Sequence, residues 1–328
     1  MKILVTGGSG FTGSGLVKRL LKRGHEITIV DKKEGLFDKE FAAKGVKILY
    51  GDITNEEFMN EAVRGNEVVF HIAAAFREIN TSKRTYWKVN VEGTRIVATA
   101  SMKAGVRRFI YCSTEGVHGK VDNPPIGEDG PIRPKDYYQY TKYEGEKVVK
   151  RFMEKGLPSV IVRPTGIYGP GDPGRFVMLF RWISRKGWFP MFGDGNVTFH
   201  PVYIENLNDG FELAMEKDEA LGNTYLIADE RFCTLNELVK EVGRALGVDV
   251  KIKYYPFWTI LIASYLCEWT CKPLGISPPL FKRRADWYWE NRGFSIEKAK
   301  RELGYKPKID LPTGLRLTGQ WYRENGYL

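Results

Sequence analysis

Tyr138 and Lys142, in the run Tyr137-Tyr138-Gln139-Tyr140-Thr141-Lys142, stand four residues apart in a stretch whose pattern predicts helix. On a helix that spacing puts both side chains on one face, one turn apart. A phenol with an ordinary pKa near 10 is a poor base at neutral pH. An ammonium about 4 Å away, at an effective dielectric of about 20, favours the phenolate by about 4 kcal/mol, roughly three pKa units before desolvation. The pair is therefore a candidate general acid and base for the proton of an alcohol. Alone, a Tyr four residues before a Lys marks many solvated helix faces. Neither Tyr137 nor Tyr140 has a lysine four residues on. Two hydroxyls, Ser113 and Thr114, close the upstream strand-like segment RRFIYCST.

A second group could hold a dinucleotide. Gly7, Gly10 and Gly13 punctuate Thr6-Gly7-Gly8-Ser9-Gly10-Phe11-Thr12-Gly13, between the apolar run KILVT and a helical pattern. A tight turn needs glycine, a pyrophosphate approaching the backbone leaves no room for Cβ atoms, and a helix N-terminus offers free N–H groups. Asp31 ends the next strand, 21 residues after Gly10. Its carboxylate can accept from ribose hydroxyls and repels a 2′-phosphate, which favours NAD over NADP. Lys32 and Lys33 pull the other way, since a lysine can hold that phosphate.

The elements that must position these groups alternate along the chain. Strands are predicted over Lys2–Thr6, His25–Val30, Val46–Tyr50, Glu67–Ile72, Arg107–Cys112 and Ser159–Val162. Helices are predicted over Phe11–Arg23, Glu56–Arg64, Ser82–Ala104 and Tyr138–Lys155. The alternation predicts an α/β fold, a doubly wound parallel Rossmann sheet. After Pro164 the rhythm changes to Gly, Pro and aromatics, then a strand-like TFHPVYI, a helix-like ENLNDGFELAMEK, a strand near Thr224–Ile227 and a helix near Leu235–Ala245. Residues 1–163 are expected to form the cofactor domain and 164–328 mainly a smaller C-terminal substrate-binding α/β cap, with some segments returning to the first lobe.

Composition narrows the class. The chain has 328 residues, is 43% hydrophobic and 27% charged, and carries a formal net charge of +10. The basic residues are scattered except at Lys282-Arg283-Arg284, and no nucleic-acid-binding motif accompanies them, so no nucleic-acid partner is expected. No run of 18 apolar residues is present, and the N-terminal apolar run is too short for a secretion signal. Four cysteines in so long a chain read as reduced thiols, and a cytoplasmic location is expected. Cys267 and Cys271 lie four apart without further ligands nearby, so no metal is expected. Phe257–Cys267 (FWTILIASYLC) is strongly apolar and is followed by Trp269, Pro273, Pro278, Pro279, Phe281 and the Lys282–Arg284 cluster. It reads as a buried cap helix, as an interfacial helix on anionic lipid making 257–284 a peripheral membrane contact, or as an oligomer contact.

Taken in order, TGGSGFTG, Asp31, GDI (51–53), HIAAA (71–75), NVEGT (90–94), YCST (111–114), Tyr138-x-x-x-Lys142 and RPTGIYGPGD (163–172) resemble the extended short-chain dehydrogenases/reductases, the NAD-dependent epimerase/dehydratase superfamily. The resemblance spans nearly the whole chain. It implies Tyr138 as acid/base, Lys142 on the nicotinamide ribose, and Thr114, with Ser113 beside it, on the reacting oxygen. It implies Asp52 and Ile53 at the adenine, Ala73, Ala74 and Ala75 along the cofactor, and Pro164 to Ile167 at the nicotinamide. Asn90 supports the site or merely caps and kinks its helix. The implied chemistry is hydride transfer at a secondary alcohol or ketone, and the implied assembly is a homodimer through 82–104 and 138–155.

The members of this superfamily share that first oxidation and diverge afterwards. Dehydratases of the dTDP-glucose type carry Asp-Glu after the threonine, whereas here Glu115 and Gly116 follow Thr114. Sugar-nucleotide 4-epimerases usually have Asn at Thr165 and Arg-Asp at Phe199 and His200; Arg175, Arg181 or Arg185 would have to replace that arginine. RPTGIYGPGD, FHPVYIENL and FSIEKAKRELGYKP look more like the branch of 3β-hydroxysteroid dehydrogenases, dihydroflavonol reductases and hopanoid-associated epimerases. A bulky alicyclic alcohol fits the aromatic cap, with Glu115, Thr165, Arg175, Phe176, Phe199 and His200 as candidate substrate contacts. A different class, a catalytically silent NAD-binding sensor, would have no use for a tuned phenol.

Overall fold

The run KILVT forms strand β1 (Lys2–Thr6), buried at every residue after the first, as a strand covered on both faces must be. In this computed structural model, which describes residues 1–76, 81–172, 174–271, 273, 280 and 282–328, the chain continues through α1 (Phe11–Lys22), β2 (Glu26–Asp31), α2 (Asp38–Ala43), β3 (Lys47–Tyr50), α3 (Glu56–Val63) and β4 (Val68–His71). Then follow α4 (Lys83–Trp87), α5 (Thr94–Ala104), β5 (Arg108–Cys112), α6 (Tyr137–Glu154) and β6 (Ser159–Pro164). The second half holds β7 (Gly166–Tyr168), α7 (Arg175–Lys186), β8 (Trp188–Phe192), β9 (Thr198–Phe199), β10 (Pro201–Tyr203), α8 (Ile204–Glu216) and β11 (Thr224–Ile227). Last come β12 (Cys233–Thr234), α9 (Leu235–Leu246), β13 (Lys251–Tyr255), α10 (Phe257–Cys271), α11 (Lys282–Ala285), α12 (Glu297–Leu303) and α13 (Leu311–Glu324).

The central sheet is parallel throughout, in the order β11-β6-β5-β4-β1-β2-β3. This is the expected doubly wound fold. The winding reverses between β1 and β4, which opens a crevice at their carboxyl ends. One face of the sheet packs on α1, α8 and α12 through Leu16, Leu20, Leu207, Phe211, Ala299 and Leu303. The other packs on α3, α5 and α6 through Met59, Val63, Ile96, Val97 and Val149. Each buried aliphatic side chain contributes roughly 1.5–3 kcal/mol, so both layers are firmly held.

A separate apolar cluster, including Phe180, Ile183, Leu238, Val242, Leu315 and Tyr322, joins α7, α9 and α13 beside three two-stranded sheets. This is the cap. A cut at 163/164 does not follow it cleanly: β6 runs to Pro164, β11 is the sheet's outer strand, and α8 and α12 lie in the first lobe's helical layer.

Two expectations differ from the outcome. The single helix over 82–104 is three pieces, with a π-helical turn at Lys88–Gly93 between α4 and α5. The apolar segment after β13 is a helix, but only Ile260 and Ser264 of α10 are buried, so it does not fill the cap's interior. Pro278, Pro279 and Phe281 lie outside the described residues.

Candidate active site

A cleft of about 620 Å³ opens at the carboxyl ends of the strands. Its walls are the residues at or just beyond those ends: Gly7, Gly10, Phe11, Thr12 and Gly13 after β1, Asp31 and Lys32 at β2, and Asp52 and Ile53 after β3. Ala73 to Ala75 follow β4, Ser113 to Gly116 follow β5, and Pro164 to Ile167 follow β6. Tyr138 and Lys142 enter from α6.

At the N-terminus of α1 the backbone is crowded. Gly7 sits at φ +73°, and a Cβ on Gly13 would come within 2.1 Å of the Gly7 carbonyl oxygen. Only glycine allows that approach, and Gly10 precedes α1 as its N-terminal capping residue, with no side-chain cap on the helix's first N–H groups. These donors fit an anionic pyrophosphate. Asp31 accepts from Ser9 N (3.1 Å) and Lys32 N (2.7 Å), which orients its carboxylate; burial outweighs these bonds and raises its pKa. The Lys32 ammonium pairs with Asp52 (3.2 Å). Burial alone would raise Asp52, but hydrogen bonds from Thr54 and Lys32 bring its pKa down.

Tyr138 lies in the first turn of α6, which starts at a capping box formed by Asp136 and Gln139. Its ring packs on Phe76 (4.9 Å between centroids). Tyr86 meets both Tyr138 and Tyr137, Tyr140 packs toward Trp87, and neither Tyr137 nor Tyr140 lines the cleft. Lys142 is 2% exposed, and burial lowers its pKa to about 8 against the pull of Cys112 and Glu146. Its ammonium lies over the Tyr111 ring at 4.2 Å. Ribose hydroxyls in the cleft could accept from this ammonium. His71, wholly buried between Thr6 and Thr94, is pushed down to about 3 by burial and by Lys142, so it is neutral.

Asn90 stands one layer behind the wall, in the π-helical turn. Its side chain accepts from Ala75 N (2.8 Å) and donates to Ala75 O (3.2 Å) and Thr141 Oγ1 (3.0 Å). It thereby ties the Ala73–Ala75 loop to α6. Ser113 lines the cleft, but its hydroxyl donates to Glu146, which is held bidentately by Arg163 (2.9 and 2.7 Å) in the interior. Thr114 donates to Glu115 Oε2 (2.8 Å) and accepts from Gly116 N (3.1 Å), so Thr114 and Glu115 present one joined polar wall.

The far end is aromatic and mixed. Phe76, Phe176 and Phe199 line it with Glu115 and Thr165, whose buried Oγ1 has no partner among the described residues. His200 is elsewhere: Nε2 meets Asp229 O (2.9 Å), Phe294 N donates to Nδ1 (3.3 Å), and burial lowers its pKa to about 4. It is a packed, neutral histidine, because two backbone groups occupy both ring nitrogens. The Arg175 side chain lies outside the described residues. Arg181 donates to Tyr327 O (2.6 Å) and Arg185 is exposed; neither lines the cleft. The guanidinium that does is Arg292, beside Glu290 (3.1 Å). Sequence reasoning missed it, as it missed Thr85, because no local motif surrounds them; it also passed over Gln139, which stands inside the Tyr138–Lys142 motif. Arg292 arrives from a C-terminal segment through Arg292 N→Thr198 O (2.9 Å).

Residues 4–256 match the model of the 3-beta hydroxysteroid dehydrogenase/isomerase family. The chain belongs to this family. A 3-beta-hydroxysteroid dehydrogenase of Mycolicibacterium neoaurum is 33% identical over 93% of this chain and 87% of its own. A 2-alkyl-3-oxoalkanoate reductase of Stenotrophomonas maltophilia is 31% identical over 96% of this chain and 98% of its own. Among solved structures, a dTDP-glucose 4,6-dehydratase of Streptomyces venezuelae with NAD bound superposes with a TM-score of 0.79 at 24% identity, over 99% of this chain and 98% of that one. The 3β-hydroxysteroid dehydrogenase fold is thus that of the extended short-chain dehydrogenases/reductases, and the chain is an oxidoreductase of that class.

Proposed function

We propose that the chain oxidises a secondary alcohol, or reduces the matching ketone, with NAD, through Tyr138, Lys142 and Thr114, on a bulky alicyclic substrate of the sterol kind. The observation that carries this is that Tyr138 and the buried Lys142 line the same cleft as the glycine turn and Asp31. The glycine turn and the start of α1 would hold the pyrophosphate, Asp31 a ribose, Asp52 and Ile53 the adenine, and Lys142 the second ribose. The cofactor supplies the acceptor or donor of a hydride when bound. Tyr138 takes the alcohol's hydroxyl proton at its phenolate oxygen, and the neighbouring ammonium lowers the cost of that phenolate. Thr114 turns its hydroxyl from Glu115 to the reacting oxygen and holds it in line. Phe76, Phe176 and Phe199 exclude water and favour an apolar ring system. The relatives named for a hydroxysteroid and for a 3-oxoalkanoate support a ketone or alcohol flanked by bulk.

Arg292 favours one second reading, an anionic substrate such as a nucleoside-diphosphate sugar undergoing 4-epimerisation, since a guanidinium at the substrate end can pair a diphosphate. The test is formation of reduced nicotinamide with a panel of sterols, 3-hydroxyalkanoates and UDP-sugars. Steady accumulation with sterols supports the first reading. Epimer formation without net reduction supports the second, and silence with every class rejects both. A homodimer through the outward faces of α5 and α6, where Met102 and Tyr140 are exposed, is the assembly we infer; sedimentation as a monomer rejects it.

A further inference from the structure

We propose that Glu115 sets which form of the substrate the site holds, favouring the alcohol over the ketone by keeping the proton of the Thr114 hydroxyl turned away from the reacting oxygen. The inference rests on the alcohol–ketone reading above. A hydroxyl has one proton to give and two lone pairs to receive. At Thr114 two of these three places are filled: Oγ1 donates to Glu115 Oε2 (2.8 Å) and accepts from Gly116 N (3.1 Å). These roles do not exchange, since a carboxylate oxygen only accepts and a peptide nitrogen only donates. What Thr114 has left for the cleft it lines is a lone pair. With the phenol of Tyr138 protonated, an alcohol accepts from that phenol and donates to Thr114. A ketone has no proton to give. It meets Thr114 lone pair against lone pair until the hydroxyl leaves Glu115. A hydrogen bond to a charged acceptor is a strong one, so that turn has a cost, and the cost falls on the ketone complex.

The surroundings hold Thr114 to this arrangement. Its backbone is extended, at φ −159°, and caps the short helical turn Glu115–His118. On one side Ser113 N donates to Val162 O (2.7 Å), which ties the segment to β6. On the other, a Cβ on Gly116 would lie 3.1 Å from Gln139 Cγ, so the wall at Gly116 packs closely on α6. The Gly116 N–H therefore stays on Thr114. The hydroxyl of Ser113 gives its proton to Glu146, itself held by Arg163 in the interior, and does not take the place of Thr114. Glu115 is the adjustable member. It is half-buried at the cleft wall, and among the described residues its carboxylate is engaged by the Thr114 hydroxyl alone. It acts through Thr114 and is a positioning residue: as Tyr138 takes the alcohol's proton, the Thr114 hydroxyl must exchange Glu115 for the oxygen left behind.

The test is binding in two complexes that cannot react, read by quenching of tryptophan fluorescence. A saturated 3β-hydroxysteroid, 5α-androstan-3β-ol, is added to the chain saturated with NADH, and its 3-ketone, 5α-androstan-3-one, to the chain saturated with NAD. Both are measured at about pH 6, where the phenol keeps its proton. Glu115→Met removes the acceptor and frees the Thr114 proton. The ketone should then bind about tenfold more tightly, with the alcohol within about threefold of its affinity for the unmodified chain. In a Thr114→Val background the same replacement should leave the ratio of the two affinities within about twofold, because the hydroxyl through which Glu115 acts is gone. A ratio that Glu115→Met does not move, a fall in both affinities together, or an equal shift with and without the Thr114 hydroxyl overturns the proposal. Reduction of NAD by the alcohol on the unmodified chain is a separate readout. If it is absent while the affinity ratio shifts as stated, the oxidoreductase reading of this substrate fails and the assignment of Glu115 stands.

Discussion

In the proposed reaction Lys142 favours the phenolate, and its burial costs the fold. The residue is buried, and burial brings its pKa down to about 8 from 10.5. The unfolded chain binds that proton more tightly. The cost is therefore fully present below pH 8 and fades as pH rises toward 10.5, a span worth roughly 3 kcal/mol. Lys142→Met should accordingly be more stable than the unmodified apoprotein at pH 7, with the gap closing by about pH 10.5, while turnover is lost. Urea unfolding of both proteins across that range checks it; a gap independent of pH would show that the ammonium is solvated. Asp31 acts by sign of charge. Replacing Asp31 by Ala removes the acceptor for a ribose hydroxyl and the repulsion of a 2′-phosphate, so the NAD-over-NADP ratio of kcat/KM should fall by roughly 10–100-fold. Lys32 does not cancel this preference in the resting site, because its ammonium is drawn to Asp52. An unchanged ratio would remove Asp31 from the ribose.

At the scale of elements, the π-helical turn at Lys88–Gly93 is the joint that aligns cofactor loop and catalytic helix. A plain α-helix through 82–104 is what the apolar spacing predicts, and the widened turn is invisible to it because one inserted residue barely alters the pattern. The turn sets Asn90 where one amide bridges Ala75 and Thr141. Asn90→Ala leaves those groups unpaired in the interior, a cost of roughly 2–4 kcal/mol. KM for NAD should rise about tenfold while kcat changes less, because Asn90 touches the loop and α6 but does not line the cleft. A kcat loss as deep as that of the acid/base variant, at unchanged KM, would make Asn90 a participant in proton transfer instead.

For the whole molecule, the two lobes meet at Asp229, which accepts from Tyr203 N (2.9 Å), Asn206 Nδ2 (2.7 Å) and Tyr168 Oη (3.3 Å). Burial pushes its pKa up to about 7. The folded chain holds this proton more tightly than the unfolded chain, so the contribution is complete below about pH 4 and lost as pH rises through 7. Asp229→Asn keeps an acceptor for Tyr203 and should gain on the unmodified chain by roughly 4 kcal/mol between pH 4 and 8. Parallel pH profiles for the two would show that the carboxylate is compensated. The parallel sheet and the strand-end residues were legible because each motif is local: a strand, a turn and a helix start within a dozen residues. Arg292 and the lodging of His200 between Asp229 and Phe294 were not, since both depend on chain returning from more than ninety residues away. The exposure of α10 was open for the same reason: an apolar run reads alike whether tertiary packing covers it or not.

The proposed chemistry turns on the phenol of residue 138 as the proton carrier. Tyr138→Phe removes one oxygen from the cleft and leaves the glycine turn, Asp31 and Lys142 in place. Turnover and NAD affinity, measured side by side on the two proteins, test it most directly. The expected result is NAD binding within about threefold of the unmodified chain and kcat lower by a factor of roughly 10²–10⁴. Turnover equal to that of the unmodified chain would contradict it.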